Sequence, residues 1–445
     1  DFITEAEKQF DKVYIFSCLP KEVYRDFHFN SEVIELDVFQ EKFPTWFFRK
    51  AKEVTHLQLH ARGNFGIKDN LNATYSKANN SRGIATRFLH KWSKRIHSEQ
   101  WILRYNRWQQ KTFKRNAITL QYKQLLKEKG IDMLFFTHQR PPYIAPLIYA
   151  AEQLHIKTTA FIFSWDNLAS KGRMAGNFDY FMVWSQLMKD ELLQFYASVK
   201  ENQIAIVGTP QFEPYVLNRY GMTRQEFLAR FDLKEGQKTI LFSCGDVSTS
   251  PNDPVYIDAI AKGIVTGKIA EPVNFIVRTS PAEEPKRFKA IAQKYPFIRW
   301  NYPDWTLARS GHQENWSQRI PSVQDVSDLK SVLQYSDVSV NMLSTMSLDT
   351  MLFDKPVINT VFGDGDNGLK NDQRFLKYAH IKKVVESNAV SVAKNEDELI
   401  VALNTCLETP LYKIEAQQKL TALQIGKPLE GTSNRITATL RSWCS

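Results

Sequence analysis

Three hydroxyl side chains stand close together at one point of this sequence. Ser344, Thr345 and Ser347 fall in the run Ser344-Thr345-Met346-Ser347, between a β-rich stretch, Val338–Asn341, and the apolar positions Leu348, Met351 and Leu352 of a following helix. Hydroxyls at a strand-to-helix turn put O–H donors beside the free N–H groups of a helix start, a combination suited to an anion such as phosphate. Capping of the helix by Ser344 or Ser347 is the alternative. The place adds weight to the first reading, because open α/β sheets bind ligands outside the carboxyl ends of their strands.

The elements that position this turn read clearly. Leu329, Val332 and Leu333 mark a helix before the strand, and Asp354-Lys355-Pro356 ends the helix after it, ahead of a buried strand at Val357-Ile358. Strands alternating with helices extend in both directions. Ile131–Thr137, Lys157–Phe163, Asp179–Trp184 and Gln203–Val207 are strands of a first half, with helices at Pro142–Leu154 and Gln186–Tyr196. Lys238–Phe242, Val273–Arg278, Ile298–Trp300 and Ala389–Ala393 continue the scheme, with helices at Pro254–Val265, Pro285–Tyr295, Asn395–Leu407 and about 410–440. Such alternation predicts parallel, doubly wound sheets. With 445 residues the chain needs more than one core. We expect an N-terminal domain at 1–214, a polar linker at 215–237 with a small helix at Arg224–Phe231, and a C-terminal domain at 238–445. Two such domains would face each other across a ligand cleft.

The net charge of +10 is concentrated. Between Arg82 and Lys129 stand 13 Lys and Arg, opposed by Glu99 and Glu128 alone. This stretch, an insertion at about 82–130 in the N-terminal domain, reads as one or two long helices with Trp92, Trp101, Tyr105, Trp108 and Phe113 among the charges. Trp101, Tyr105 and Trp108 share one helix face. Such a helix suits an anionic membrane surface, and the alternative is a solvated basic face with buried aromatics. No nucleic-acid module accompanies the charge, so nucleic acid is not expected as a partner. No apolar run is long enough to span a bilayer, and no signal peptide is evident. Cys18, Cys244, Cys406 and Cys444 are scattered, which argues against a structural zinc site and suits a reducing cytoplasm. HExxH, GxSxG and Walker motifs are absent, lowering metalloprotease, hydrolase and ATPase readings.

From about Ile131 to Ile436 the chain resembles the glycosyltransferases with two Rossmann-like domains called GT-B. It is most similar to bacterial surface-carbohydrate (capsule, lipopolysaccharide, O-antigen) transferases and to CDP-glycerol glycerophosphotransferase relatives. The motifs are Ser336–Ile358, Arg278-Thr279-Ser280-Pro281, Gly208-Thr209-Pro210-Gln211-Phe212, His380–Leu399 and Gly431–Ile436. At Arg278-Thr279-Ser280-Pro281 it departs from the glycerophosphotransferases, which usually carry His before that Pro. The resemblance implies a nucleotide-sugar donor bound by the C-terminal domain. It needs neither a cofactor nor a metal, because helix starts, hydroxyls and a basic group meet the charge on the leaving diphosphate. Ser344, Thr345 and Ser347 would hold the diphosphate, with Arg278 and Ser280 at a strand end and His380 after the polar loop 363–374. Gly245 and Asp246 would let backbone approach the ligand closely. Asp349 would accept from the ribose hydroxyls or stabilise its helix start. The acceptor, a surface glycan or lipid-linked molecule, belongs to the N-terminal domain. There Asp166, in Ser164-Trp165-Asp166-Asn167, and His138, near Arg140, follow strands and are the general-base candidates. The expected activity is sugar transfer in the cytoplasm, at the inner face of the cell membrane. A nucleotide-sugar 2-epimerase of the same fold and a polyol-phosphate transferase are the alternatives.

Overall fold

The structure is a computed structural model that describes residues 1–25, 27–37, 39–312 and 315–444. It divides into two compact units. Unit 1 comprises residues 1–210, 378–380 and 423–445; unit 2 comprises 211–377 and 381–422.

In unit 2 the strands are short, apolar and separated by helices long enough to carry the chain back over the sheet, so they pair in parallel. The strands are β7 (Lys238–Ser243), β8 (Val273–Arg278), β9 (Arg299–Asn301), β12 (Val338–Asn341), β13 (Val357–Thr360) and β14 (Ser391–Ala393). Their order is β14-β13-β12-β7-β8-β9, with every pair parallel. One face is the core: Phe242, Val277, Val340 and Ile358 pack with Tyr256 and Ile260 of helix Asp253–Val265 and Leu399 and Leu403 of helix Glu396–Glu408. A short antiparallel pair, β10 (Trp305–Leu307) and β11 (Arg319–Pro321), was not expected from the sequence.

Unit 1 holds a parallel four-stranded sheet, β3 (Met133–Phe136), β4 (Lys157–Phe161), β5 (Tyr180–Val183) and β6 (Ile204–Ile206), in that order. A separate parallel pair joins β1 (Tyr14–Ser17) to β2 (Glu32–Glu35). The sequence reading missed helix Phe43–His60, whose buried stripe mixes Trp46, Ala51, Val54 and Leu57 with Thr45, Lys52, Thr55 and His56. Polar residues in that stripe erase the apolar period. The basic segment forms three helices, Ser81–Ser93, Glu99–Phe113 and Ala117–Glu128, rather than one or two. Ser98 and Asn116 cap the second and third, accepting from Trp101 N at 3.3 Å and Ile118 N at 3.0 Å.

The expected domain boundaries shift in two ways. Residues 215–237 are no free linker, because Lys330 and Tyr335 donate to the carbonyls of Leu217 and Met222 within unit 2, at 2.9 and 2.8 Å. The C-terminal end returns to unit 1. The helical stretch at 410–440 breaks into Ile414–Ile425 and Thr432–Cys444. On the second helix Thr437 accepts from Gln9 at 2.8 Å, the Trp443 carbonyl accepts from Lys157 at 2.8 Å, and the Trp443 ring stacks on Tyr180 at 4.6 Å. These contacts join sequence-distant segments, which a local pattern does not encode.

Candidate functional site

The strand order of unit 2 reverses between β7 and β12: β8 and β9 build outward from one, β13 and β14 from the other. The carboxyl ends flanking such a reversal form the ligand crevice of open α/β sheets. Register places five polar residues in one row there, Asn359, Asn341, Ser243, Arg278 and Asn301. In-register neighbours project to the same face, and all five are buried. Just beyond, Leu343 has φ +48°, a left-handed conformation that costs a non-glycine residue energy and concentrates at ligand sites.

The row is incompletely satisfied. The Asn341 side-chain oxygen Oδ1 accepts from Ser344 N (2.8 Å), Asn359 Nδ2 (3.0 Å) and Ser347 Oγ (3.2 Å). Asn341 Nδ2, Asn359 Oδ1 and Ser243 Oγ have no partner among the described residues. A buried donor or acceptor without a partner costs about 1–3 kcal/mol, so these atoms mark a place where a polar ligand or water is accommodated.

The expected donor-binding residues separate on this geometry. Ser344 and Thr345 are partly exposed, and helix Met346–Met351 follows them. Ser344 Oγ accepts from Met346 N at 3.3 Å, a weak capping contact that leaves its O–H available. Ser347 is buried, and its hydroxyl both donates to Asn341 and accepts from Asn359 at 3.0 Å, so it braces the loop. Arg278 is no free cation, because its guanidinium donates to both Asp325 oxygens (3.1 and 2.9 Å) and to Asn301. Asp349 is buried and takes the Tyr215 hydroxyl, so it offers no open carboxylate to a ribose. Burial pushes its carboxyl up to about 7, with the Tyr215 hydroxyl and Arg278 pulling the other way. Gly245 is needed by its own loop: a Cβ there would meet the Ser250 Cβ at 2.7 Å, and its N–H donates to Asp253 at 2.9 Å. Asp246 accepts from Ser248 N (2.9 Å) and Thr249 Oγ1 (2.8 Å), capping that loop. Ser280 accepts from Ala282 N at 3.2 Å and holds a turn.

His380 lies in unit 1, not with the donor residues. Its neighbour Tyr378 donates to Asp69 at 2.6 Å and rests on helix Phe65–Ala73. Gly66 makes the approach possible, since a Cβ there would stand 2.9 Å from the Tyr378 ring. The His380 ring meets Trp165 edge-on at 5.0 Å, and its Nδ1 has no partner among the described residues. Burial lowers its pKa to about 4, against the opposing pull of the Asp166 carboxylate. Asp166 accepts from Ser164 Oγ (2.7 Å) and Asn167 Nδ2 (3.1 Å) and pairs with Lys171 at 3.4 Å. Burial pushes this carboxyl up, but Lys171, His380 and Ser164 together outweigh it and hold it below its usual value. His138, on the adjacent strand-end loop, stacks on Phe163 at 4.8 Å and accepts from Arg140 N at 3.1 Å. Burial, then Arg140, lowers its pKa to about 4. Gln139 ties the two loops, donating to Asn167 Oδ1 and accepting from Phe163 N, each at 3.3 Å.

Thus Asp166 and His380 come together in unit 1, with Lys171, Trp165 and Tyr378 around them, while His138 stays on the adjacent loop against Phe163 and Arg140. Sequence reasoning missed Lys171, whose only signal was its spacing five residues after Asp166. It also missed Asn341 and Asn359, polar residues at the ends of otherwise apolar strands. Among the described residues no cluster of His, Cys, Asp and Glu is arranged to hold a metal ion.

No protein-family model matches the chain, and no curated protein matches it. Solved structures do. A protein described as a UDP-N-acetylglucosamine 2-epimerase from Listeria monocytogenes aligns with 73% of this chain and 78% of its own, at 11% identity and a TM-score of 0.50. The chain has the GT-B fold. A glycosyltransferase from Rickettsia africae aligns over 74% of this chain and 83% of its own at 12% identity and a TM-score of 0.45. The wall teichoic acid polymerase TagF does so over 70% and 72%, at 12% identity and a TM-score of 0.44. At such identities the likeness is one of fold.

Proposed function

We propose that this GT-B chain is a glycosyltransferase that moves a sugar from a nucleotide-activated donor to a hydroxyl of a surface glycan or lipid-linked acceptor. The observation that carries the reading is the incompletely satisfied polar row at the strand reversal of unit 2. There Asn341 Nδ2, Ser243 Oγ and the Ser344 hydroxyl supply neutral donors for the diphosphate, whose charge grows as the glycosidic C–O bond breaks. In unit 1, Asp166 is an ionised carboxylate beside a neutral imidazole. It would take the acceptor proton as the new C–O bond forms and release it to solvent through its own partly exposed carboxylate. The reaction is proposed to run without a metal. In this reading the enzyme works on the cytoplasmic side, and the basic stretch 82–129 serves location rather than chemistry.

One observation favours a second reading. Asp166 and His380 make an acid–base pair that sequence spacing did not suggest, of the kind that inversion at C2 of a nucleotide sugar would require. The two readings separate when the protein is incubated with a nucleotide sugar in deuterated water and no acceptor. Deuterium at C2 of the sugar would establish the epimerase.

The experiment that tests the donor site is a thermal-shift panel of UDP, GDP, CDP, CMP and their sugar conjugates. A ligand that binds only the folded state at about 100 times its Kd adds about 2.7 kcal/mol of stability. A rise in Tm with one nucleotide family supports the reading and names the base, whereas no rise with any of them overturns it.

A further inference from the structure

Helix Ser81–Ser93 is turned inside out. Its buried side presents Gly83, Thr86, His90 and Ser93, with Leu89 as the one large apolar residue among them. Its outer side presents Ile84, Phe88 and Trp92, which are 57, 54 and 41% exposed. These three recur at a spacing of four and form a single outward stripe. Phe88 and Trp92 stack at 6.1 Å with a 16° tilt, so the stripe is an ordered surface. Trp92 Nε1 donates to Tyr105 at 3.2 Å, which leaves the ring outward with its polar atom satisfied. A surface helix ordinarily buries its apolar side, and a row of large apolar side chains facing water marks an interaction surface.

The charges around the stripe identify the partner. From Asn70 to Ser98 the sequence has no Asp or Glu. Lys91, Lys94 and Arg95 are exposed beside Trp92 and have no acidic partner among the described residues. The aromatic stripe picked out by spacing alone, Trp101, Tyr105 and Trp108, is by contrast partly used inside unit 1, with Trp108 still 37% exposed. Tyr105 is buried with Ala51 and Leu89, and Trp108 packs on Phe48 at 5.7 Å.

We infer that the outer face of helix Ser81–Ser93 docks unit 1 onto an anionic lipid bilayer, with Ile84, Phe88 and Trp92 entering the interface and Lys91, Lys94 and Arg95 meeting headgroup phosphates. A protruding apolar row flanked by unpaired cations has the chemistry of an interfacial helix. It differs from a nucleic-acid groove, where aromatic faces lie open for bases to stack on them; here two of the three side chains stack on each other. The surface stands apart from the transfer reading, and its test needs no nucleotide.

The test is co-sedimentation of the full chain with phosphatidylcholine vesicles containing about a third phosphatidylglycerol, and with pure phosphatidylcholine vesicles. Binding to the anionic vesicles alone, falling as salt rises, is expected. The Lys91→Gln/Lys94→Gln/Arg95→Gln variant should bind them on the order of a hundredfold more weakly. The Ile84→Ser/Phe88→Ser variant should lose about tenfold or more on vesicles and keep wild-type retention on heparin, a polyanion with no interior. All these positions are exposed, so the Tm of both variants should stay near wild type. Vesicle binding indifferent to Ile84→Ser/Phe88→Ser, no vesicle binding, or a single-stranded oligonucleotide binding as tightly at the same salt would each overturn the inference.

Discussion

Asp166 in unit 1, half-buried, and Asp349 in unit 2, buried, both follow a parallel strand, yet their surroundings drive them apart. Asp166 has a lysine, an imidazole, a hydroxyl and an amide around it, and these hold it ionised against the cost of burial. Asp349 has the Tyr215 hydroxyl, and the nearby cation, Arg278, is engaged by Asp325. Burial therefore dominates and carries Asp349 to about 7. Unit 1 keeps charge in contact with partners that can exchange protons. Unit 2 compensates its charges internally and leaves neutral amides and hydroxyls unfilled. That contrast suits a base in one unit and an anion cradle in the other.

The contrast breaks most sharply at Asp166. Asp166→Asn keeps the shape and the bonds that Oδ1 accepts from Ser164 and Asn167, gives up the Lys171 pair and removes the base, and should lower kcat on the order of 10²–10⁴-fold. Nucleotide affinity, which the proposed function assigns to unit 2, should not change. Transfer assays and calorimetry on the same variant check both halves, and a variant that loses nucleotide affinity as well would end the division of labour.

Next comes Arg278. If it serves structure, Arg278→Met strands Asp325 as an unpaired buried carboxylate and should cost about 3–5 kcal/mol in denaturant unfolding. If it grips phosphate instead, the loss would appear in nucleotide affinity with little change in stability. Urea titration beside calorimetry distinguishes the outcomes.

Acidity offers a smaller and signed test. Asp349 unfolds to a pKa of about 4, so between there and about 7 the native state holds the extra proton. Its contribution is fully present below the unfolded value and is lost as pH rises towards 7. Asp166 has the opposite sign, contributing above its unfolded value and losing that contribution as pH falls through its lower native pKa. Asp349→Asn should therefore raise Tm at pH 8 relative to wild type and shrink the difference at pH 4. A variant whose Tm tracks wild type at both pH values would remove Asp349 from the buried, proton-holding set.

The strands of both sheets were legible because parallel strands are continuous apolar runs, and Val273–Arg278 lies where its residues predict. Asp166 was legible too, as a carboxylate directly after such a run. What the sequence hid is tertiary. Arg278 at a strand end looks like a phosphate ligand until helix Val323–Tyr335 brings Asp325 to it from 47 positions away. His380 follows a polar loop near the donor motif, and only tertiary contacts, Tyr378 against Gly66 and Asp69 and the His380 ring against Trp165, assign it to unit 1. Helix Ser81–Ser93 announces its apolar residues, but not that they face outward.

The finest test separates two serines three positions apart. Ser347 is buried in the Asn341–Asn359 network, and Ser347→Ala removes a donor and an acceptor there, so it should cost about 1 kcal/mol or more of stability. Ser344 is partly exposed and uses only an acceptor lone pair. Ser344→Ala should leave stability nearly unchanged and weaken nucleotide binding by about 1 kcal/mol, the size of one hydrogen bond. Thermal melts and calorimetry on the two single variants read these effects apart. If both serines affect only binding, the ligand reaches deeper than the loop surface and contacts the asparagine row itself. If both affect only stability, the loop is a brace and the donor site lies elsewhere in unit 2.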